Sequence, residues 1–160
     1  MEAIIVLAFL FGFPLVVGAL FRVNTSYLFV TILAAELIER YFRDDAELVL
    51  APFVQNEVVL QYLGFAMLVL PIVLTGVFLH GSLSKAKTFL QIIPLVLCGV
   101  VFAAFAAPIL PTVIREALIE NQIGSLLIDS AQLIVGITVF LQLMALWSFN
   151  KPKHGSKKHA

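Results

Sequence analysis

The sequence predicts an all-α protein, a polytopic membrane bundle of five transmembrane helices, with four transmembrane helices as the alternative. Apolar residues make up 61% of the 160 positions and charged residues 12%, and the mean hydropathy is +1.05. Ordinary soluble chains are about half apolar and about a quarter charged. The apolar residues also fall into long runs, and a helix that crosses about 30 Å of hydrocarbon needs about 20 such residues in succession. A lipid bilayer is therefore the solvent that fits this chain.

Five runs are candidate spans, and the second decides between five spans and four. It covers residues 27–42, is shorter than the others and carries Glu36, Glu39 and Arg40 near its end. The first run has Glu2 where a secretory signal would carry Lys or Arg, so we expect it to be a retained helix. This division predicts one transmembrane domain over residues 1–149. The other four runs cover residues 3–21, 58–79, 89–114 and 126–149.

The lysines predict the direction in which the chain crosses the membrane. Lys85 and Lys87 share one loop, and the C-terminal tail, two predicted crossings later, carries the other four. Because cytoplasmic segments are rich in Lys and Arg, we expect a cytoplasmic C-terminus and, with five spans, an external N-terminus. Arg22 then lies in a short cytoplasmic turn, which favours five spans over four. The lysines of the tail are Lys151, Lys153, Lys157 and Lys158.

The tail itself, residues 150–160, is basic and poor in apolar residues. This composition predicts a disordered cytoplasmic segment that is attracted to anionic lipid headgroups. The lysines have no interleaved aromatic side chains, so nucleic acid is not an expected partner.

Two connecting segments are predicted to be amphipathic and to lie at the membrane surface. Residues 44–57 are too short and too charged to span, and we expect an external loop with a turn of helix there. After Pro111, apolar and charged residues alternate at helical spacing, which predicts an interfacial helix that breaks at Gly124 and Ser125.

A stripe of small residues in the fourth run predicts a helix-packing face. Gly99, Ala103 and Ala107 repeat every four residues, a spacing that allows close approach of another helix in a membrane. The partner is either a neighbouring helix of the same chain or a second copy of the protein. Val100 and Phe102 are expected to face lipid or a looser neighbour.

The candidate ion or proton sites are Glu36, Glu39 and Asp129. Arg40 and Arg43 follow the two glutamates at a spacing of four, so each acid can form an ion pair along the helix. An acid within a span is a functional hypothesis by default, because charge in hydrocarbon is costly. The alternative interpretation is that the glutamates are paired residues at the membrane interface, about two turns from the outer end of a helix that ends near residue 42. Asp129 is expected to begin the last span.

No pattern in the sequence points to an enzyme, a cofactor or a resident metal. The H-E-x-x-H and G-x-S-x-G motifs, the P-loop and paired CxxC motifs are absent from the sequence. The chain has one cysteine and three isolated histidines, which make no metal-ligand pattern. We therefore expect a protein that is not an enzyme and binds no cofactor.

Several segments between residues 4 and 134 resemble one known family. They are GFPLVVGALF, TILAAELIERYF, the hydrophobic hairpin around HGSLSKAK, and IREALIENQIGSLLIDSAQLI. In this order they resemble the colicin V production protein family of small bacterial inner-membrane proteins. The resemblance implies location in the bacterial inner membrane and a non-enzymatic role in envelope homeostasis, secretion or surface-associated behaviour.

Two functions from different classes remain open on the sequence. The first is a scaffold or accessory subunit of the bacterial cell envelope, with the lipid bilayer and other membrane proteins, or further copies of itself, as partners. The second is an oligomeric channel or small transporter with Glu36 near its external mouth. The direction of Glu36 distinguishes them, because a transport site requires this side chain to face the bundle rather than the headgroups.

Overall fold

The computed structural model describes residues 2–54, 57–82 and 91–149. Within these ranges the chain forms α-helices and no β-strand, so the prediction of an all-α protein is confirmed. The helices are α1 (Glu2–Leu20), α2 (Thr25–Leu50), α3 (Glu57–Phe78), α4 (Ile92–Ile109), α5 (Thr112–Ile119), α6 (Gln122–Asp129) and α7 (Ala131–Phe149).

Two helices are long and apolar enough to cross a membrane, over Ala3–Leu20 in α1 and Ile92–Ile109 in α4. A third candidate is the bent pair Gln122–Asp129 and Ala131–Met144, whose axes differ by 73°. The apolar part of α3, Tyr62–Phe78, is shorter. The composition of two or three helices therefore suits a membrane, and the count of five spans stays a prediction.

Helix α2 is longer than the sequence predicted. It begins at Thr25, after Asn24 accepts a hydrogen bond from the backbone N–H of Ser26, and it continues to Leu50 without a loop at residue 44. Ion pairs at the i,i+4 spacing extend along this part of the helix, and such pairs stabilise helical structure. The first half of the external loop expected over residues 44–57, residues 44–50, is therefore helix.

This extension changes the position of Glu36. It lies about 16 Å along α2 from Thr25 and about four turns before Leu50, at 1.5 Å per residue. The expectation that Glu36 is about two turns from the outer end of its helix is wrong, because the ion pairs that follow it continue the helix.

Helix α4 packs among the other helices and carries much of the core. Cys98, Val101 and Ala106 are fully buried. A Cβ atom at Gly99 would lie 2.6 Å from the backbone oxygen of Phe11, so α1 approaches α4 closely at this glycine.

The other members of the small-residue stripe are also inside the chain. Ala103 is 5% exposed and Ala107 is fully buried. Phe102, which we expected to face lipid or a looser neighbour, is instead fully buried, and its ring lies 5.3 Å from that of Phe13. The expectation failed because α4 is surrounded on several sides, so its burial is not confined to one stripe.

A polar cluster joins one end of α2, α3 and α4. The Gln91 Oε1 atom accepts hydrogen bonds from the Thr25 backbone N–H at 3.0 Å and from the Thr25 hydroxyl at 2.8 Å. The Gln91 amide donates to Asn24 Oδ1, and the Asn24 backbone N–H donates to the Ser82 hydroxyl at 2.9 Å. Because the starts of α2 and α4 meet here and both helices also line the cavity described below, they run in the same direction.

The segment after α4 forms two short helices instead of one that breaks at Gly124. The break lies at Asn121, whose side chain accepts a hydrogen bond from the Ile123 backbone N–H and so caps α6. Gly124 is inside α6, where a Cβ atom would overlap the backbone of Leu118. The glycine therefore serves close packing of α6 on α5, and Asp129 ends α6 instead of beginning the last span.

Candidate functional site

A cavity of about 620 Å³ lies between α2, α4 and the junction of α6 with α7. Small side chains and a glycine on two of these helices leave the space open. A Cβ atom at Gly136 would meet nothing within 4 Å. The lining residues are Glu36, Glu39, Arg40, Ala104, Phe105, Pro108, Ile109, Ile128, Ala131, Gln132, Val135 and Gly136.

The polar side chains of the cavity come mainly from α2. Glu36, Glu39 and Arg40 occupy positions three and four residues apart, which places them on neighbouring parts of one helix surface. Gln132 contributes an amide from the first turns of α7. The side chains of α4 that complete the wall are apolar, so the cavity combines an apolar body with a charged edge.

Glu39 is firmly held. Its Oε1 atom accepts a hydrogen bond of 3.1 Å from Arg43 Nη1, and Arg43 Nε donates to Glu47 at 2.8 Å. A Cβ atom at Gly64 of α3 would lie 2.9 Å from Glu39 Oε1. The absence of a side chain at Gly64 therefore leaves room for this ion pair between α2 and α3.

Glu36 is held loosely. Among the described residues it pairs only with Arg40, with 3.7 Å between Arg40 Nε and Glu36 Oε1. That distance is too long for a hydrogen bond. The Arg40 side chain is 65% exposed, whereas the Glu36 side chain is 20% exposed. Glu36, the more buried member of this pair, therefore lines the cavity, and its carboxylate accepts no hydrogen bond from the described residues.

The structure brings together two of the three predicted ion-site residues. Glu36 and Glu39 both line the cavity, and Asp129 does not. Asp129 is exposed at the end of α6, next to the lining residue Ile128. The predicted topogenic residues Lys85, Lys87, Lys151, Lys153, Lys157 and Lys158 lie outside the described residues.

Sequence reasoning missed the part of the site that α4 and α7 supply. Ala104, Phe105 and Gly136 have no polar or ionisable side-chain group, so no sequence motif identifies them as site residues. Gln132 was visible only as a polar residue in an apolar run. The one signal available was the presence of two glutamines in the last span, since polar side chains in a span tend to face the bundle interior.

The second of these glutamines, Gln142, is fully buried deeper in α7. Neither its Oε1 nor its Nε2 atom has a hydrogen-bond partner in the part of the chain that the structure describes. Gln142 follows Val135 by seven residues, so both lie on one face of α7, about 10 Å apart along the axis. The part of the cavity wall that Val135 supplies is thus followed along the same helix face by a buried amide.

A smaller cavity of about 130 Å³ lies near the end of α4. Arg43 and Arg115 line it together with Pro108, Pro111 and other residues of this turn. Arg43 already pairs with Glu39 and Glu47, so its charge is largely used within α2.

Within the described ranges, no group of three or more His, Cys, Asp or Glu side chains is placed to hold a metal ion. The free cysteine, Cys98, is buried in α4. The chemistry that the larger cavity can offer is therefore ion pairing, hydrogen bonding and apolar contact.

Comparisons with models of protein families, with curated proteins and with solved structures find no match to this chain. The resemblance to the colicin V production protein family stays a prediction of the sequence.

Proposed function

We propose that this chain is a non-enzymatic integral membrane protein that binds a small amphipathic molecule in the cavity between α2, α4 and α7, as a small transporter or a binding subunit would. The observation that supports this proposal is the size and lining of the cavity. Its volume of about 620 Å³ is within the range of about 300–1,000 Å³ typical of small-molecule sites. Its wall is also typical of them, with mostly apolar side chains and a few polar groups that orient a ligand.

In this proposal α1, α2, α3, α4 and α7 are the five spans, and the end of the bundle at Thr25 is cytoplasmic. Glu36 then lies about 16 Å from that end, near the middle of about 30 Å of hydrocarbon. An ionisable side chain at such a depth is costly and is usually retained for function. A bound ligand would supply Glu36 with a contact that lipid cannot.

The position of Glu36 also distinguishes a binding function from a purely structural role. A scaffold or accessory subunit of the bacterial envelope has no need of an acid that lines a cavity between its helices, and the alternative predicted from the sequence, a transporter, requires one. The position of Glu36 in the cavity wall therefore supports binding. The external mouth predicted for Glu36 is replaced here by a site within the bundle.

The proposal is tested by photolabelling in lipid nanodiscs. The probe is a decanol that carries an alkyl diazirine, and the labelled residues are mapped by mass spectrometry. We expect label on the cavity wall, including the segment around Phe105.

Two glycine variants test whether the label enters through the cavity. Gly136→Leu fills it, and we expect cavity labelling to fall to the level of the lipid-facing surface. Gly12→Leu is the matched control, because a Cβ atom at either glycine meets nothing within 4 Å and Gly12 does not line the cavity. Wild-type labelling confined to lipid-facing residues, or equal loss in both variants, contradicts the proposal.

A further inference from the structure

We infer that the cavity selects molecules that carry a positive charge, and that Arg40 is a displaceable counter-ion whose place on Glu36 the ligand's cation takes. This inference rests on the proposed function, since it names the chemical class of the ligand for the same cavity. The predicted ligand is an amphipathic ammonium compound with an apolar body.

The charge of the cavity wall favours a cation. Two carboxylates, Glu36 and Glu39, and one guanidinium, Arg40, line it. The wall therefore has an excess of one negative charge when all three groups are ionised. An anionic ligand would face this excess in an apolar site where charge interactions are strong.

The two carboxylates differ in what a ligand would have to break. Release of Glu39 would remove a hydrogen bond of 3.1 Å and leave Arg43 with a single partner, Glu47. This pair also fits closely against Gly64 of α3. Glu39 is thus part of the helix packing, and its negative charge contributes to the site without being free to change partners.

Glu36 can change partners at small cost. Arg40 approaches it only to 3.7 Å and has no other ion pair or hydrogen bond with the described residues. An i,i+4 ion pair of this kind favours the paired over the unpaired side chains by only about twofold. The exposed and flexible Arg40 side chain can move outward along α2 when a ligand's ammonium group binds Glu36, because long basic side chains readily extend toward a polar environment.

The apolar lining accounts for the rest of the ligand. Ala104, Phe105 and Ile109 of α4 line the same cavity as the α2 carboxylates, and so does Val135 of α7. A hydrocarbon body packs there while its ammonium group meets Glu36. The cavity therefore fits a molecule with one charged end.

The test compares two photoreactive probes of equal chain length, a decylammonium and a decanol, each with the same diazirine, in nanodiscs of zwitterionic lipid at pH 7. We expect the ammonium probe to label the cavity more strongly. Glu36→Gln should reduce its labelling by roughly tenfold, as expected for loss of one charge-assisted hydrogen bond, and leave decanol labelling unchanged. Arg40→Gln should raise ammonium labelling by about twofold, because the competing cation is gone.

Matched controls remove the same charges outside the cavity. Asp45→Asn removes an exposed carboxylate from the same helix, and Arg115→Gln removes a guanidinium from α5; neither side chain lines this cavity. Both controls should keep the wild-type preference. Equal cavity labelling by the two probes in the wild type overturns the inference and leaves the proposed function standing. Reduced ammonium labelling in Arg40→Gln overturns the counter-ion role. Absence of cavity labelling by either probe overturns the proposed function as well.

Discussion

The close approach of α1 to α4 at Gly99 gives the most direct prediction from this structure. In Gly99→Ala, the new Cβ atom would lie 2.6 Å from the Phe11 backbone oxygen, whereas ordinary contact begins at 3.4 Å. A backbone oxygen cannot turn away as a flexible side chain can, so α1 has to move. Overpacking of this kind costs about 1–3 kcal/mol.

Thermal unfolding in detergent measures this effect, and the buried thiol of Cys98 provides the signal when a thiol-reactive dye gains access to it. For a chain of about this length, a loss of 1 kcal/mol lowers Tm by roughly 2–4 °C. We expect Gly99→Ala to unfold several degrees below the wild type.

Gly12→Ala is the control, because it makes the same chemical change in a helix where a Cβ atom meets nothing within 4 Å. Ala is the better helix former, by about 1 kcal/mol, so the control should not lose stability. If Gly99→Ala is as stable as Gly12→Ala, the close contact between α1 and α4 does not exist and the packing argument is wrong.

Three further predictions concern packing and orientation. Ala103→Leu should lower Tm, because the Ala103 side chain is buried within the chain, whereas Val96→Leu, at a position that is 37% exposed, should be mild; equal effects would place Ala103 at the lipid surface. Gln142→Leu should raise stability by about 1–3 kcal/mol, because it removes a buried amide that has no partner among the described residues, and a fall would reveal one. A reporter fused after Ala160 should give signal if it is a type that works in the cytoplasm, and no signal if it is a type that works only outside. A cysteine introduced at Glu2 should be labelled only from outside the cell, and the reverse results contradict the orientation.

The ion pairs of α2 show where sequence reasoning was sound and where it stopped. The spacing of Glu36 and Glu39 to Arg40 and Arg43 correctly predicted pairs along one helix. The same reasoning ended the helix near residue 42, because charge was taken as a sign of a loop. Charges at i,i+4 spacing extend a helix when they alternate in sign, and Glu47 adds one more pair.

The amphipathic segment after Pro111 shows a different limit. Gly124 was taken as a breaker because glycine is a poor helix former. In the structure it lies within α6, and α6 packs on α5 through this position. A glycine that permits close contact and a glycine that ends a helix look the same in the sequence. Only the structure around the glycine, here the backbone of α5, distinguishes them.

The sequence by itself determined that the chain is helical and that its composition suits a membrane, because both follow from composition and from the length of apolar runs. It also identified Glu36 and Glu39 as unusual. The tertiary structure alone decided that Glu36 faces a cavity while Glu39 is locked to Arg43. The physical reason is that a cavity is formed by the absence of atoms between helices that are distant in sequence. Ala104 and Gly136 leave that space open only when α4 and α7 lie against α2.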